Sequence, residues 1–229
     1  MDTVHIWKAR PIKMTKAKMT TVKQRSTYRH GDLRRALIDA GIELAREGGP
    51  DAIVLREATR RAGVVPNAAY RHFESRHGLL SAVRSAALSS VAEAMEDELA
   101  ARPKKRRRAD AARAGLRAIG AGYLRFAQAE TGLFRTAFAA PQAEWTEHEE
   151  PYGAGPSGLD PFQLLSRALD EMVEAGALDA RRRPEAEYLA WSAVHGFALL
   201  LIEGPLQGLD ADHVEPLAER LLSMVQNGL

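Results

Sequence analysis

The chain has no cysteine, which excludes disulfide frameworks and thiolate zinc sites. It has no long apolar run either. The longest, Phe197 to Ile202, is far short of the roughly 20 residues that cross a bilayer as a helix. The opening Met-Asp-Thr-Val-His-Ile-Trp-Lys lacks the apolar stretch of a secretion signal. A glycine-rich phosphate loop, a His-Glu-x-x-His pair and a nucleophile elbow are all missing. The scattered Asp and Glu fall on amphipathic surfaces, so no catalysis is expected. No repeat and no credible strand is seen. These absences imply a soluble protein of the cell interior, with no membrane partner, no cofactor and no metal.

What is present is a core-forming composition with a divided charge. Of 229 residues, 45% are hydrophobic and 27% charged, enough apolar material for one large domain or two smaller ones. The formal net charge is only +2. Residues 1–85, however, hold 17 Lys/Arg against 8 Asp/Glu, and residues 86–229 hold 15 against 22. A basic head on an acidic body is the distribution that neutralising DNA phosphates requires. Residues 1–27 are polar and basic without apolar periodicity, which reads as a disordered arm. The alternative is an extension upstream of the true start, since Met14 and Met19 could each initiate.

From Asp32 the pattern turns helical, with Leu33, Ala36, Leu37, Ala40, Gly41 and Leu44 on one face. Gly48-Gly49-Pro50 stops it. The stretch Arg56 to Phe73 then reads as a short helix, a turn at Gly63, and a second short helix ending in an aromatic. Gly63 tolerates the left-handed conformation that ends a helix, and Pro66 suits the first turn of the next. This is a helix-turn-helix, whose second member enters the major groove. Ser75 caps a long helix to about Ala101, ended by Arg102-Pro103. The basic run Lys104 to Arg108 is read as a solvated loop. Further helices follow over 110–130 and 131–139, from Asp160-Pro161 to near Gly176, from Pro184 to Gly204-Pro205, and over 212–227. Residues 141–158, rich in Gly, Pro and Glu, read as a mobile loop. The expected fold is all-α, with about nine helices in an N-terminal three-helix helix-turn-helix domain and a C-terminal helical domain.

Tyr28-Arg29-His30-Gly31-Asp32-Leu33-Arg34, Leu55-Arg56-Glu57, Ala62-Gly63-Val64 and Tyr70-Arg71-His72-Phe73 together resemble the N-terminal domain of TetR-type regulators. Trp191, His195 and Gly196, with Leu116 to Gly120 and Gly132 to Arg135, resemble a C-terminal domain with a Trp-His-Gly signature found in one branch. The likeness runs from about residue 28 to the C-terminus. Beyond the arm over 1–27, it implies a DNA-binding domain over 28–80 and a ligand-binding and dimerisation domain over 81–229. It further implies a bacterial cytoplasmic homodimer, joined through its two C-terminal helices, that reads a palindromic operator and answers to an unknown small-molecule effector. Val65 stands where the family usually has the Ser that caps the recognition helix. Losing such a cap costs about 1 kcal/mol. Ala58-Thr59, Val54 and His77-Gly78 depart from the pattern as well.

On the recognition helix Pro66, Asn67 and Ala68 lie at the end that approaches base edges. Asn67 can pair with adenine and Ala68 can touch a thymine methyl. Arg56 reaches a base or phosphate from the preceding helix. Tyr70, His72 and Arg76 match family positions that bind phosphate, and Arg71 completes the DNA-contact set. Phe73 is assigned to the core, His72 to helix capping as well as phosphate.

In the body, Trp191 and His195 share a helix face at i, i+4. One reading makes them the lining of a small-molecule pocket with Phe126, Phe134, Phe138 and Met172; the other makes the stripe simple core, with His195 hydrogen-bonded inside it. No metal cluster accompanies His195. Two other classes remain open: a sequence-independent architectural DNA binder, suggested by the basic arm, and a ligand-binding adaptor with a degenerate head, suggested by Val65 and Ala58.

Overall fold

A computed structural model of the protein describes residues 30–139 and 153–228, and among these every regular element is helical. The expected basic arm, 1–27, lies outside the described residues. The elements are α1 (His30–Gly48), α2 (Leu55–Ala62), α3 (Pro66–Ala69), α4 (Arg76–Ala101), α5 (Arg108–Ala129), α6 (Thr131–Ala137), α7 (Pro161–Glu174), α8 (Ala186–Ile202) and α9 (Ala211–Gly228). Two short 3-10 turns, Gly49–Ala52 and Ala180–Arg182, were not foreseen.

The head is α1 to α3 closed by the start of α4. Leu37, Leu44, Ile53, Ala58, Phe73, Leu79 and Val83 are all buried, so the apolar faces read from the sequence meet in one core. Gly63 ends α2 at φ 69, its N–H reaching the Arg60 carbonyl at 3.3 Å while Val64 N reaches Thr59 O at 3.0 Å. The recognition segment differs from expectation. Its helix covers only Pro66–Ala69, and the chain then turns, with His72 N and Phe73 N both on Ala69 O at 2.9 Å. With Val65 in place of a hydroxyl cap, only the Val65 backbone oxygen receives Ala68 N, at 3.0 Å.

Helix α4 leaves the head and enters the body without a break. Ser75 Oγ accepts from Gly78 N at 3.3 Å at its start, and its 26 residues span about 39 Å. Along it α5 packs closely: a Cβ on Gly122 would lie 2.6 Å from Ala94 O. Arg125 and Glu98 pair across this contact. Residues 153–158, expected as part of a mobile loop, instead lie across α4. Gly153 N donates to Ser85 Oγ at 3.2 Å and Ser157 Oγ to Glu96 Oε1 at 2.6 Å. The remainder of that expected loop, up to residue 152, lies outside the described residues.

Two starts show how local signals act. Asp160 caps α7 in a reciprocal box, accepting from Gln163 N at 2.8 Å while Gln163 Oε1 accepts from Asp160 N at 2.9 Å. Pro184, by contrast, does not open α8. Glu185 sits in the left-handed region at φ 61 and the helix begins at Ala186.

Candidate functional site

The head presents a polar and cationic surface around α2 and α3. Arg56, Asn67 and Arg71 are exposed, Tyr70 is 56% exposed, and Ala68 and His72 are half-buried. Ala69 and Phe73 point inward, at 0% and 4%. A shallow groove of about 610 Å³ is lined by Val54, Arg56, Glu57, Thr59, Arg60 and Val64. Its floor is held by paired charges. Glu57 accepts from Arg60 Nε at 2.9 Å and from Arg61 Nε at 3.3 Å, and Arg61 continues to Glu47 at 2.8 Å. Arg60, with help from Arg61, holds the Glu57 carboxyl down to about 2. Arg56 has no such partner among the described residues, so its charge stays available to an anion.

Arg76 is placed differently from its neighbours. Its Nε donates to Ile53 O and one terminal nitrogen to Pro50 O, both at 2.8 Å. It therefore clamps the start of α4 onto the turn after α1, a role the motif did not signal. Only the three-dimensional meeting of residues 23 and 26 positions apart reveals it.

In the body the rings of Tyr123, Phe134, Phe138, Trp191 and His195 form one cluster. Centroids are 4.9 Å apart for Phe134–Phe138, 5.0 Å for Phe138–His195 and 6.1 Å for Phe138–Trp191. Phe162 extends it, 5.3 Å from Trp191, and Tyr188 lies 5.4 Å beyond Phe162. Exposure is graded along this path, from Phe134 at 0% and Tyr123 at 4% to Tyr188 at 58%. Trp191, Phe138 and His195 in the middle are half-buried. Of the other expected lining residues, Phe126 is buried but stacks on none of these rings, and Met172 is fully buried core.

Tyr123 was missed from the sequence, and it is the polar centre of the cluster. Its hydroxyl lies 2.7 Å from His195 Nδ1 and accepts from Trp191 Nε1 at 3.3 Å. Burial pushes the Tyr123 phenol upward and the His195 imidazole downward, so both are held neutral. The signal was available: Tyr123 follows Ile119 on the buried face of α5, and a buried tyrosine hydroxyl needs a partner.

Head and body meet at α6. Arg46 pairs with Glu130 at 2.9 Å, and a Cβ on Gly132 would lie 2.1 Å from Ala45 O. Arg135 reaches Glu203 at the end of α8, 3.2 Å away, and Phe134 turns inward from the same helix into the ring cluster. Elsewhere α8 and α9 expose large apolar side chains: Leu189 (67%), Leu200 (42%), Leu217 (38%) and Met224 (59%). A Cβ on Gly196, between the first two, would meet nothing within 4 Å.

Among the described residues no group of three or more His, Asp or Glu is arranged to hold a metal ion. None of their helices is long and apolar enough to cross a membrane.

Comparison with known proteins agrees with this architecture. Residues 37–83 match the family model described as bacterial regulatory proteins, tetR family, and residues 116–225 match that of a tetracyclin repressor-like C-terminal domain. A solved structure of a protein of unknown function from Rhodococcus sp. RHA1 is similar over 89% of this chain and 98% of its own, with 25% identity and a TM-score of 0.68. The transcriptional regulator FadR from Bacillus subtilis, in complex with stearoyl-CoA, shares 16% identity over 85% of this chain and 98% of its own, with a TM-score of 0.60. A TetR variant from Acinetobacter baumannii in complex with minocycline shares 18% identity over 84% and 93%, with a TM-score of 0.52. At those last two identities the likeness is one of fold. None of the curated proteins compared matches the chain.

Proposed function

The chain belongs to the tetR family of bacterial regulators, and from that premise we propose that it is a ligand-responsive repressor that binds a near-palindromic operator as a homodimer. The observation that carries this reading is the exposed set Arg56, Asn67, Tyr70 and Arg71, on a helix-turn-helix anchored to the head's core by buried Leu55, Ala58, Ala69 and Phe73. Asn67 and Ala68, with Pro66 before them, approach base edges; Arg56, Tyr70, Arg71 and His72 hold phosphates. Arg76 acts on the same face chiefly by keeping the head in shape, through the carbonyls of Ile53 and Pro50. The DNA-binding unit runs to about residue 80 and the effector and dimer unit from there on, with α4 common to both.

The exposed apolar stripes of α8 and α9 are the dimer surface in this reading. Covering Leu189, Leu200, Leu217 and Met224 with a second copy removes them from water and sets two recognition segments about one DNA turn apart. The effector binds at the body's aromatic cluster in this reading, which is supported by structural relatives solved in complex with stearoyl-CoA and with minocycline. Through α6 and α4 it favours a head spacing that no longer fits the operator, and DNA opposes the effector by the same factor.

Selection from a random duplex pool tests this. An inverted repeat with half-sites about one turn apart is expected. Recovery of no sequence preference would point to an architectural DNA binder, and no DNA retention to a ligand-binding adaptor.

A further inference from the structure

The proton arrangement around Tyr123 dictates what the body can bind. An indole N–H only donates, so the 3.3 Å contact makes the Tyr123 oxygen the acceptor of Trp191 Nε1. The Tyr123 hydrogen then has one place to go, His195 Nδ1 at 2.7 Å. The reverse arrangement, with His195 Nδ1 donating, would leave a 4%-exposed phenol hydrogen without an acceptor. Since burial keeps the imidazole neutral, its single proton lies on Nε2. Among the described residues nothing accepts from Nε2, and the ring is half-buried rather than sealed.

From this we propose that the effector is a neutral aromatic carbonyl compound, held against the half-exposed rings of Phe138 and Trp191 and accepting one hydrogen bond from His195 Nε2. The proposal rests on the effector reading above and names its chemistry. Two features favour an aromatic and uncharged guest. The rings around His195 are tilted or edge-on to one another, with centroids 5.0 to 6.2 Å from it, an arrangement that continues onto a further ring. The charge felt at His195 is the Glu203 carboxylate, already paired with Arg135 at 3.2 Å. An anion would meet that carboxylate, and an ammonium ion would meet a donor. A carbonyl oxygen satisfies Nε2 and brings no charge.

The test uses the full chain and four probes of nearly equal shape: acetophenone, ethylbenzene, benzoate and benzylamine. Affinities are read by NMR titration without DNA. Acetophenone is expected to bind about tenfold more tightly than ethylbenzene, the worth of one hydrogen bond at a partly desolvated site, and more tightly than either ion. In His195→Phe, which keeps a ring, that preference should fall to about twofold or less. Separately, nitrogen-15 shifts of the free protein should show Nε2 protonated and Nδ1 bare, and Tyr123→Phe should abolish that bias. Equal binding of acetophenone and ethylbenzene, a preference for benzoate or benzylamine, a proton on Nδ1, or binding of none of the four would each overturn the proposal. Intact selectivity for acetophenone and its congeners, with no effect of any of them on operator affinity, would instead overturn the regulatory reading and leave the binding chemistry standing.

Discussion

Arg46 Nε donates to Glu130 Oε2 at 2.9 Å, tying the last turn of α1 to the residue that opens α6. Two residues further on, Gly132 leaves room for the Ala45 carbonyl, which an added Cβ would approach to 2.1 Å. The contact is backbone against backbone and cannot relax by a rotamer change. Gly132→Ala should therefore cost about 1–3 kcal/mol, the usual range for overpacking, and weaken operator binding while the dimer persists. Calorimetry and light scattering check this; an unchanged melting temperature would contradict the packing described.

Arg76 separates a structural from a phosphate-binding role. Removing it leaves the carbonyls of Ile53 and Pro50 without their donor. Arg76→Ala should lower the stability of the DNA-free head by about 1–3 kcal/mol and raise amide exchange at the start of α4. A variant with unchanged exchange but a shallower salt dependence of DNA binding would show that phosphate contact is its main work.

His195 gives a pH dependence with a definite sign. Burial pushes its imidazole down, against a smaller upward pull from Glu203. Its folded pKa thus lies below the ordinary value of 6.5. The stabilisation is present above that pH and is lost as pH falls through the folded value. Exposed His213, raised by its hydrogen bond to Asp210, acts in the opposite sense: its contribution is present below 6.5 and fades as pH rises. Melting temperature followed from about pH 5 to 7.5 should fall more steeply on the acid side for the natural chain than for His195→Phe. His213→Gln should leave that acid limb in place. Identical acid limbs for the natural chain and His195→Phe would refute the burial argument.

The stripe on α8 and α9 predicts an oligomeric state. Leu189→Glu combined with Met224→Glu places two charges on side chains that are 67% and 59% exposed in the single subunit. Each subunit should keep its helical content, yet sediment at half the mass of the natural protein and lose operator binding. A natural protein that already sediments as one subunit would contradict the assignment.

The parts of this fold that were legible in the sequence are those governed by neighbouring residues. Ser75, Arg102-Pro103 and Asp160-Pro161 mark helix boundaries through bonds or steric limits within a few positions, and α4 begins and ends, and α7 begins, where these residues say. Pro184 misled because its fixed φ is equally compatible with a turn, which here runs into Glu185 at φ 61. The recognition segment came out shorter than its spacing suggested, a single turn entered through Val65 without a side-chain cap. The clamp made by Arg76 and the identity of the partners of the Tyr123 hydroxyl were hidden for a different reason, although the buried position of Tyr123 on α5 was legible. Their partners lie 23 to 72 positions apart, and no local pattern encodes such a meeting. Phe126 and Met172 share the apolar character of the residues whose rings meet at His195, so periodicity alone could not separate them from that cluster.

Anisotropy of a labelled duplex, selected from a random pool and compared with its scrambled counterpart at one salt concentration, tests the central claim most directly. The selected duplex should bind at least about a thousandfold more tightly, and Asn67→Ala should erase most of that ratio while leaving the scrambled duplex nearly unchanged. Equal affinity for both duplexes, or a preference untouched by Asn67→Ala, would contradict the account.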